Sequence, residues 1–127
     1  MKKVISTKKA APAIGPYSQA LKAGNFIFLS GQIGLTLKGE IVSENLEDQV
    51  HQIMKNIQAI LKVENLDLKD IAKTIIFLTD MNDFVVVNEI YGKYFNGICP
   101  ARSTVEVSKL PKGAKIEIEA IAVKDQF

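Results

Sequence analysis

Three ionisable side chains near the C-terminus are the ones best suited to chemistry: Arg102, Glu117 and Glu119. A guanidinium on a strand can grip a carboxylate through two parallel hydrogen bonds. Glu117 and Glu119 are two residues apart, so on an extended strand they share a face, with Cα atoms roughly 6.5–7 Å apart. Such a pair can act as general acid and base, or one can hold water while the other anchors structure. The plainer alternatives are an ion pair from Arg102 to Glu106, Glu117 or Glu119, and two glutamates solvated on an exposed face. Other candidates are few. One cysteine, Cys99, and one histidine, His51, are too few for a zinc site, and Cys99 lacks an evident neighbouring base. His51 falls beside a helical apolar stripe, the place of a solvated residue. Gly31-Gln32-Ile33-Gly34 could present backbone N–H groups to an anion, but it lacks the spacing of a phosphate loop or dinucleotide fingerprint. Asn88 lies at the edge of an apolar stripe, where its amide needs a partner.

These residues must be positioned by strands. Pro100–Val107 and Lys115–Val123 both alternate at the period of a β-strand, with Leu110-Pro111-Lys112-Gly113 marking a turn between them. On the first, Arg102, Thr104 and Glu106 oppose Ser103, Val105 and Val107; on the second, Glu117, Glu119, Ile121 and Val123 oppose Ile116, Ile118, Ala120 and Ala122. If the two apolar sets share one covered face, Arg102 and Glu117 project together from the other. Ile121 and Val123 on that second face call for cover by a ligand or another subunit.

Upstream, a short strand is expected over Lys3–Thr7, an extended segment from Gly15-Pro16 to Lys22, and a hairpin through Ala23-Gly24-Asn25 into a strand at Asn25–Ser30 that is apolar on both faces. Leu46, Val50, Ile53, Met54, Ile57, Ile60 and Leu61 form one stripe at helical spacing, with Ser43 or Asn45 as cap. Leu66–Ile71 is a connector with room for one helical turn, and Lys73–Thr79 is a further two-faced strand. A second helix is expected from Asp80 or Asn82 to about Phe95. The order is thus β, β, β, α, β, α, β, β. Two helices cover one face of such a sheet, and the two-faced strands require a second subunit on the other.

Composition narrows the class. The 127 residues suit a single domain, and 47 % apolar with 24 % charged residues is ordinary for a globular protein. A net charge of +2 leaves no electrostatic footprint for nucleic acid. No apolar run is long enough to span a bilayer, and no signal peptide is visible, so the expected location is the cytoplasm. The lone cysteine fits a reducing compartment.

Five ordered segments carry a resemblance: Ala13–Ala20 (AIGPYSQA), Phe28–Ile33 (FLSGQI), Asn82-Asp83-Phe84 with Asn88, Pro100–Ser103 (PARS) and Lys115–Val123 (KIEIEAIAV). Together they resemble the RidA (YjgF) family of reactive-intermediate deaminases nearly end to end. The resemblance implies a chorismate-mutase-like α+β fold, a mixed, mainly antiparallel sheet with two helices on one face. It also implies a homotrimer around a central barrel, with sites between subunits. The implied reaction is hydrolysis of 2-imino acids such as 2-iminobutanoate and 2-iminopropanoate to 2-oxo acids and ammonia, without metal or organic cofactor. Such imines arise from pyridoxal-phosphate enzymes that dehydrate threonine or serine. By the same resemblance Arg102 binds the substrate carboxylate and Glu117 positions or deprotonates water. Tyr17, Ser30, Gly31, Asn88 and residue 104 line the pocket. Many close relatives carry cysteine directly after the Pro-Ala-Arg-Ser run, whereas this chain has Thr104. A non-catalytic trimer binding small carboxylates and, more weakly, an RNA-directed role are the alternatives.

Overall fold

Asn45 starts the longest helix. Its side-chain oxygen accepts from the Asp48 N–H at 3.2 Å, and Glu47 and Asp48 in the first turn favour the positive end of the helix dipole. The resulting α1 (Leu46–Lys62) buries Val50, Ile53, Met54, Ile57, Ile60 and Leu61. Each such side chain contributes roughly 1.5–3 kcal/mol of burial. The computed structural model describes residues 1–125. Its remaining elements are β1 (Lys2–Ile5), β2 (Ala20–Ala23), β3 (Phe26–Gln32), β4 (Ile71–Leu78), α2 (Phe84–Gly92), β5 (Ala101–Glu106) and β6 (Ile116–Val123). Short 3₁₀ turns occupy Leu68–Asp70, Met81–Asp83 and Pro111–Gly113.

The second helix is shorter than its apolar pattern predicts. Asp80 does cap, accepting from Asn82 at 2.9 Å, but it opens a 3₁₀ turn rather than α2. At the other end Gly92 is a poor helix former, and Lys93 and Tyr94 donate back to Ile90 and Tyr91 in tightened, three-residue steps.

The six strands form one sheet in the order β1-β2-β3-β6-β4-β5. All pairs are antiparallel except β4–β5, so the chain is mixed α+β, as expected. β5 and β6 are not neighbours; β4 lies between them, and β5 is an edge. Both helices and the inward residues Ile27, Leu29, Ile76, Leu78, Ile116 and Ile118 make one core. The opposite face is open and apolar, with Phe26 49 %, Phe28 45 % and Val105 41 % exposed. No helix among the described residues is long and apolar enough to cross a membrane.

An ion cluster that periodicity does not reveal fastens the β1 edge to the end of α1. Glu64 is only 5 % exposed, with the ammonium groups of Lys3, Lys22 and Lys124 at 3.0, 3.4 and 3.5 Å. Lys124 also donates to the Glu64 carbonyl at 3.0 Å. The hydrogen bond from Lys3 outweighs desolvation and, with Lys22 and Lys124, holds the carboxyl below its ordinary value. The cover is shallow, made of lysine stems still in water. Glu64→Gln is therefore expected to cost about 1–2 kcal/mol in urea unfolding at pH 7. A depressed carboxyl stabilises above its unfolded pKa, and that gain disappears as pH falls through the folded one. The gap between wild type and variant should accordingly close below about pH 4.5; a gap constant from pH 7 to 3 would rule out the carboxylate as its cause.

Candidate active site

Glu117 owes its position to a chain of backbone fixings. Gln49 on α1, fully buried, accepts from Lys115 N–H at 2.9 Å and donates to the Ser43 carbonyl at 2.9 Å, which sets the entry to β6. Gly34 lets this region close on α1: a Cβ there would stand 2.8 Å from the Gln49 Cα. Opposite, β3 breaks register between Leu29 and Gln32. The bulge brings Gly31 flat against the Glu117 carboxylate, where a Cβ would sit 2.5 Å from Oε2. Glycine at 31 is thus what makes room for the acid.

Glu117 and Gly31 line a cleft of about 380 Å³ whose walls are mostly apolar: Ala11 to Ile14, Tyr17, Ile33 and Leu35, with Pro111 and Lys112 at one side. Buried Gln19 staples the wall, accepting from Thr7 N–H at 2.7 Å and donating to the Thr7 and Ala11 carbonyls. Lys112 adopts a left-handed backbone (φ 58°) and its ammonium donates to the Gly39 carbonyl at 2.5 Å, tying the turn before β6 to the loop behind Ile14. Desolvation, with a lesser push from Glu119, raises the Glu117 carboxyl above its ordinary value. Ser30 does not line this cleft; its hydroxyl donates to the Ser18 carbonyl at 2.6 Å and props the segment carrying Tyr17.

Arg102 lies elsewhere. In the β4–β5 register it stands beside Thr74, and Thr104 stands beside Ile76, both neighbours pointing into the helix-side core. In the β4–β6 register Glu117 stands beside Phe77 and Glu119 beside Ile75, on the open face. Arg102 and Glu117 therefore leave one chain's sheet on opposite faces, which overturns the expectation that they project together. The physical reason is β5's apolar side. Ser103 and Val105 face the open side, not the core, so the covered faces of β5 and β6 do not coincide.

On the helix side, the Arg102 guanidinium carbon lies 5.5 Å from the Phe84 ring centre and 5.3 Å from that of Tyr91. Both rings come from α2, and Asn88 falls between them on the same stripe, half-buried. Among the described residues the ion pairs within 4 Å all belong to Glu64, so Arg102 is not held by Glu106, Glu117 or Glu119. Glu106 instead accepts from Met81 N–H at 2.8 Å. Cys99 is exposed, and His51, also exposed, pairs through Nδ1 with the Tyr94 hydroxyl, apart from both groups. No cluster of three or more His, Cys, Asp or Glu suited to a metal ion occurs among the described residues.

Thr104 stands out near Arg102. Its Oγ1 is the one buried side-chain polar atom without a hydrogen-bond partner among the described residues. Thr104→Val keeps the shape and removes the orphaned hydroxyl, so it should stabilise the chain by about 1 kcal/mol in chemical denaturation. A loss of stability would mean that the hydroxyl finds a partner in the assembled protein.

Of the residues singled out from sequence, the structure thus groups Tyr17, Gly31 and Glu117 at one cleft and Arg102 and Thr104 on the β5 edge, with Asn88 on α2, the helix whose rings flank Arg102. Alternation and helical periodicity do not reveal the wall at Ala11–Ile14, the Lys112 tether or the aromatic seat of Arg102. For the seat a signal existed: Phe84, Asn88 and Tyr91 are spaced four and three apart, putting a polar amide between two rings on one helical face.

A family model described as Endoribonuclease L-PSP matches residues 7–124. The Arabidopsis thaliana protein named Reactive Intermediate Deaminase A, chloroplastic, is 55 % identical over 95 % of this chain and 65 % of its own length. The Mus musculus protein named 2-iminobutanoate/2-iminopropanoate deaminase is 48 % identical over 100 % of this chain and 95 % of its own. A solved structure from Yersinia pestis, described as a conserved Rid family protein of unknown function, superposes with a TM-score of 0.94 at 50 % identity. That match covers 97 % of this chain and 99 % of the other. With a match that spans nearly all its residues, this chain is a member of the Endoribonuclease L-PSP, or Rid, family.

Proposed function

We propose that this protein hydrolyses small 2-imino acids, 2-iminobutanoate and 2-iminopropanoate among them, to 2-oxo acids and ammonia. The observation that carries this reading is Arg102, an arginine held between two aromatic faces with its charge left unpaired by any carboxylate among the described residues. A fixed, unpaired guanidinium suits a small carboxylate. The relatives named as deaminases of this class support the same choice.

Arg102 binds the substrate carboxylate, with Asn88 and the backbone at Thr104 beside it. Glu117, ionised, accepts a proton from water as the water oxygen bonds to the imine carbon. The C=N π electrons move to the protonated imine nitrogen, giving a neutral carbinolamine. Glu117 then passes its proton to that nitrogen and takes the hydroxyl proton as the C–N bond breaks, releasing ammonia and the 2-oxo acid. Tyr17, Gly31 and the apolar wall enclose the rest of the substrate, and Ser30 braces the segment bearing Tyr17.

Because Arg102 and Glu117 leave opposite faces of one sheet, the site is composite: the β5 edge of one copy meets the Glu117 cleft of another. The uncovered apolar face, with Phe26, Phe28 and Val105, supports packing of the open faces into the central barrel of a homotrimer. The supply of substrate would be pyridoxal-phosphate enzymes that dehydrate threonine or serine.

The test uses imine generated in situ by threonine dehydratase and trapped with semicarbazide. Added protein should speed ammonia release and lower semicarbazone yield. Indifference to fresh imine at any protein concentration would end the enzymatic reading. Saturable 2-oxobutanoate binding without turnover would replace it with a carboxylate-binding regulator. The family's name also raises RNA cleavage. Against it, the single histidine lies outside the cleft, engaged with Tyr94, and Lys112 is the one basic side chain among the described residues that line the Glu117 cleft.

A further inference from the structure

We propose that Tyr91, braced by Thr74, is a positioning residue that holds the Arg102 guanidinium in place for an incoming carboxylate; only its kinetic readout rests on the deaminase reading above. Arginine has several rotatable bonds and carries about 2 kcal/mol of rotamer entropy when free. On an edge strand, with no carboxylate partner among the described residues, it would ordinarily sweep through solvent. Here the guanidinium carbon is 5.3 Å from the Tyr91 ring centre and 5.5 Å from that of Phe84. Both distances lie within the range of attraction between a cation and an aromatic face.

The Tyr91 ring is itself fixed. It is 4 % exposed, it packs on Phe95 with centres 4.8 Å apart, and its hydroxyl lies 2.8 Å from Thr74 Oγ1. Thr74 is 1 % exposed and is the residue of β4 paired with Arg102 in the β4–β5 register. The contacts therefore close a ring: Arg102 to Thr74 through the strand pairing, Thr74 to Tyr91 through the hydroxyls, Tyr91 back to Arg102 through its face. Filling a core needs neither hydroxyl. Leucine at 91 and valine at 74 would serve, and a buried hydroxyl pair is neutral at best against such apolar residues. What the pair adds is a defined orientation of the ring, and that orientation matters to the cation above it. Burial also raises the Tyr91 phenol above its ordinary value, so the ring meets Arg102 in its neutral form.

The test compares Tyr91→Phe, Tyr91→Leu and Thr74→Val with wild type. In wild type the Arg102 Nε–Hε nuclear magnetic resonance signal should be displaced by ring currents from its free-arginine position. Tyr91→Leu leaves the Phe84 ring in place, so it should return the signal part of the way and weaken 2-oxobutanoate binding by about 3–30-fold, the fold-change of one lost aromatic face. KM for imine should rise with it while kcat holds, a split that mere loosening of the fold would not produce. Tyr91→Phe should recover most of the affinity, because the face is restored and only the brace is lost; Thr74→Val should match it. An unmoved Arg102 signal together with unchanged 2-oxobutanoate affinity in Tyr91→Leu would overturn the proposal. If Tyr91→Leu does not fold, an unmoved Arg102 signal in both milder variants, with affinity unchanged, overturns the brace. Wild type that binds 2-oxobutanoate through the seat yet leaves imines untouched would refute the deaminase reading while upholding this one.

Discussion

Arg102→Ala should lower kcat/KM for 2-iminobutanoate by about 100-fold or more, equivalent to roughly 3 kcal/mol of lost transition-state binding. The size follows from what the guanidinium lacks. With no carboxylate within 4 Å among the described residues, it has no internal ion pair to exchange for the substrate, so its full charge is available. Most of the loss should appear in KM, because the carboxylate is bound alike before and during reaction. Arg102→Lys keeps the charge but not the planar fork, and an ammonium rests differently on the Phe84 and Tyr91 faces, so it should recover only part of the activity. Steady-state rates with freshly generated imine, beside calorimetry with 2-oxobutanoate, check both variants. An alanine variant with wild-type kcat/KM would place the carboxylate elsewhere.

The same residue shows where the sequence was legible and where it was not. α1 was readable because it has one apolar stripe and one wet face, and its cap, Asn45, is a local signal. The alternation in β6 was readable too: Ile116, Ile118, Ala120 and Ala122 are buried and the residues between them are half-exposed. β5 misled because its apolar side, with Val105, faces the open side of the sheet. Hydrophobicity marks removal from water, and it does not distinguish a core from a surface that another copy would cover. Alternation also fixes which residues of one strand share a face, while matching faces between strands needs the pairing, and β4 intervenes between β5 and β6. The Gly31 contact was invisible for a related reason. A bulge in β3 that admits the Glu117 carboxylate depends on the register with β6, some ninety residues downstream.

Glu117→Gln should reduce kcat by about 10²–10⁴-fold with little change in KM, the loss expected when a general base becomes an amide of the same shape. The pH behaviour gives the assignment a sign. Desolvation, then the Glu119 charge, raises the folded carboxyl above 4.5, so wild-type activity should climb with pH through that raised value as Glu117 ionises. Stability runs the opposite way. A carboxyl raised on folding favours the protonated form, a contribution present below 4.5 and lost as pH rises through the folded pKa. The glutamine variant, which cannot ionise, should therefore unfold at higher urea than wild type near neutral pH, and the advantage should shrink toward pH 4.5. An inactive variant without that pH-dependent advantage would mean the acid does not sit desolvated against Gly31. Mixing then tests the split of the site between faces. Glu117→Gln supplies intact Arg102, and Arg102→Ala supplies intact Glu117, so two dead proteins unfolded and refolded together at equal concentration should regain about a quarter of wild-type activity from sites that join the two intact halves. A site assembled within one chain could regain none, because every chain in the mixture carries one of the two lesions.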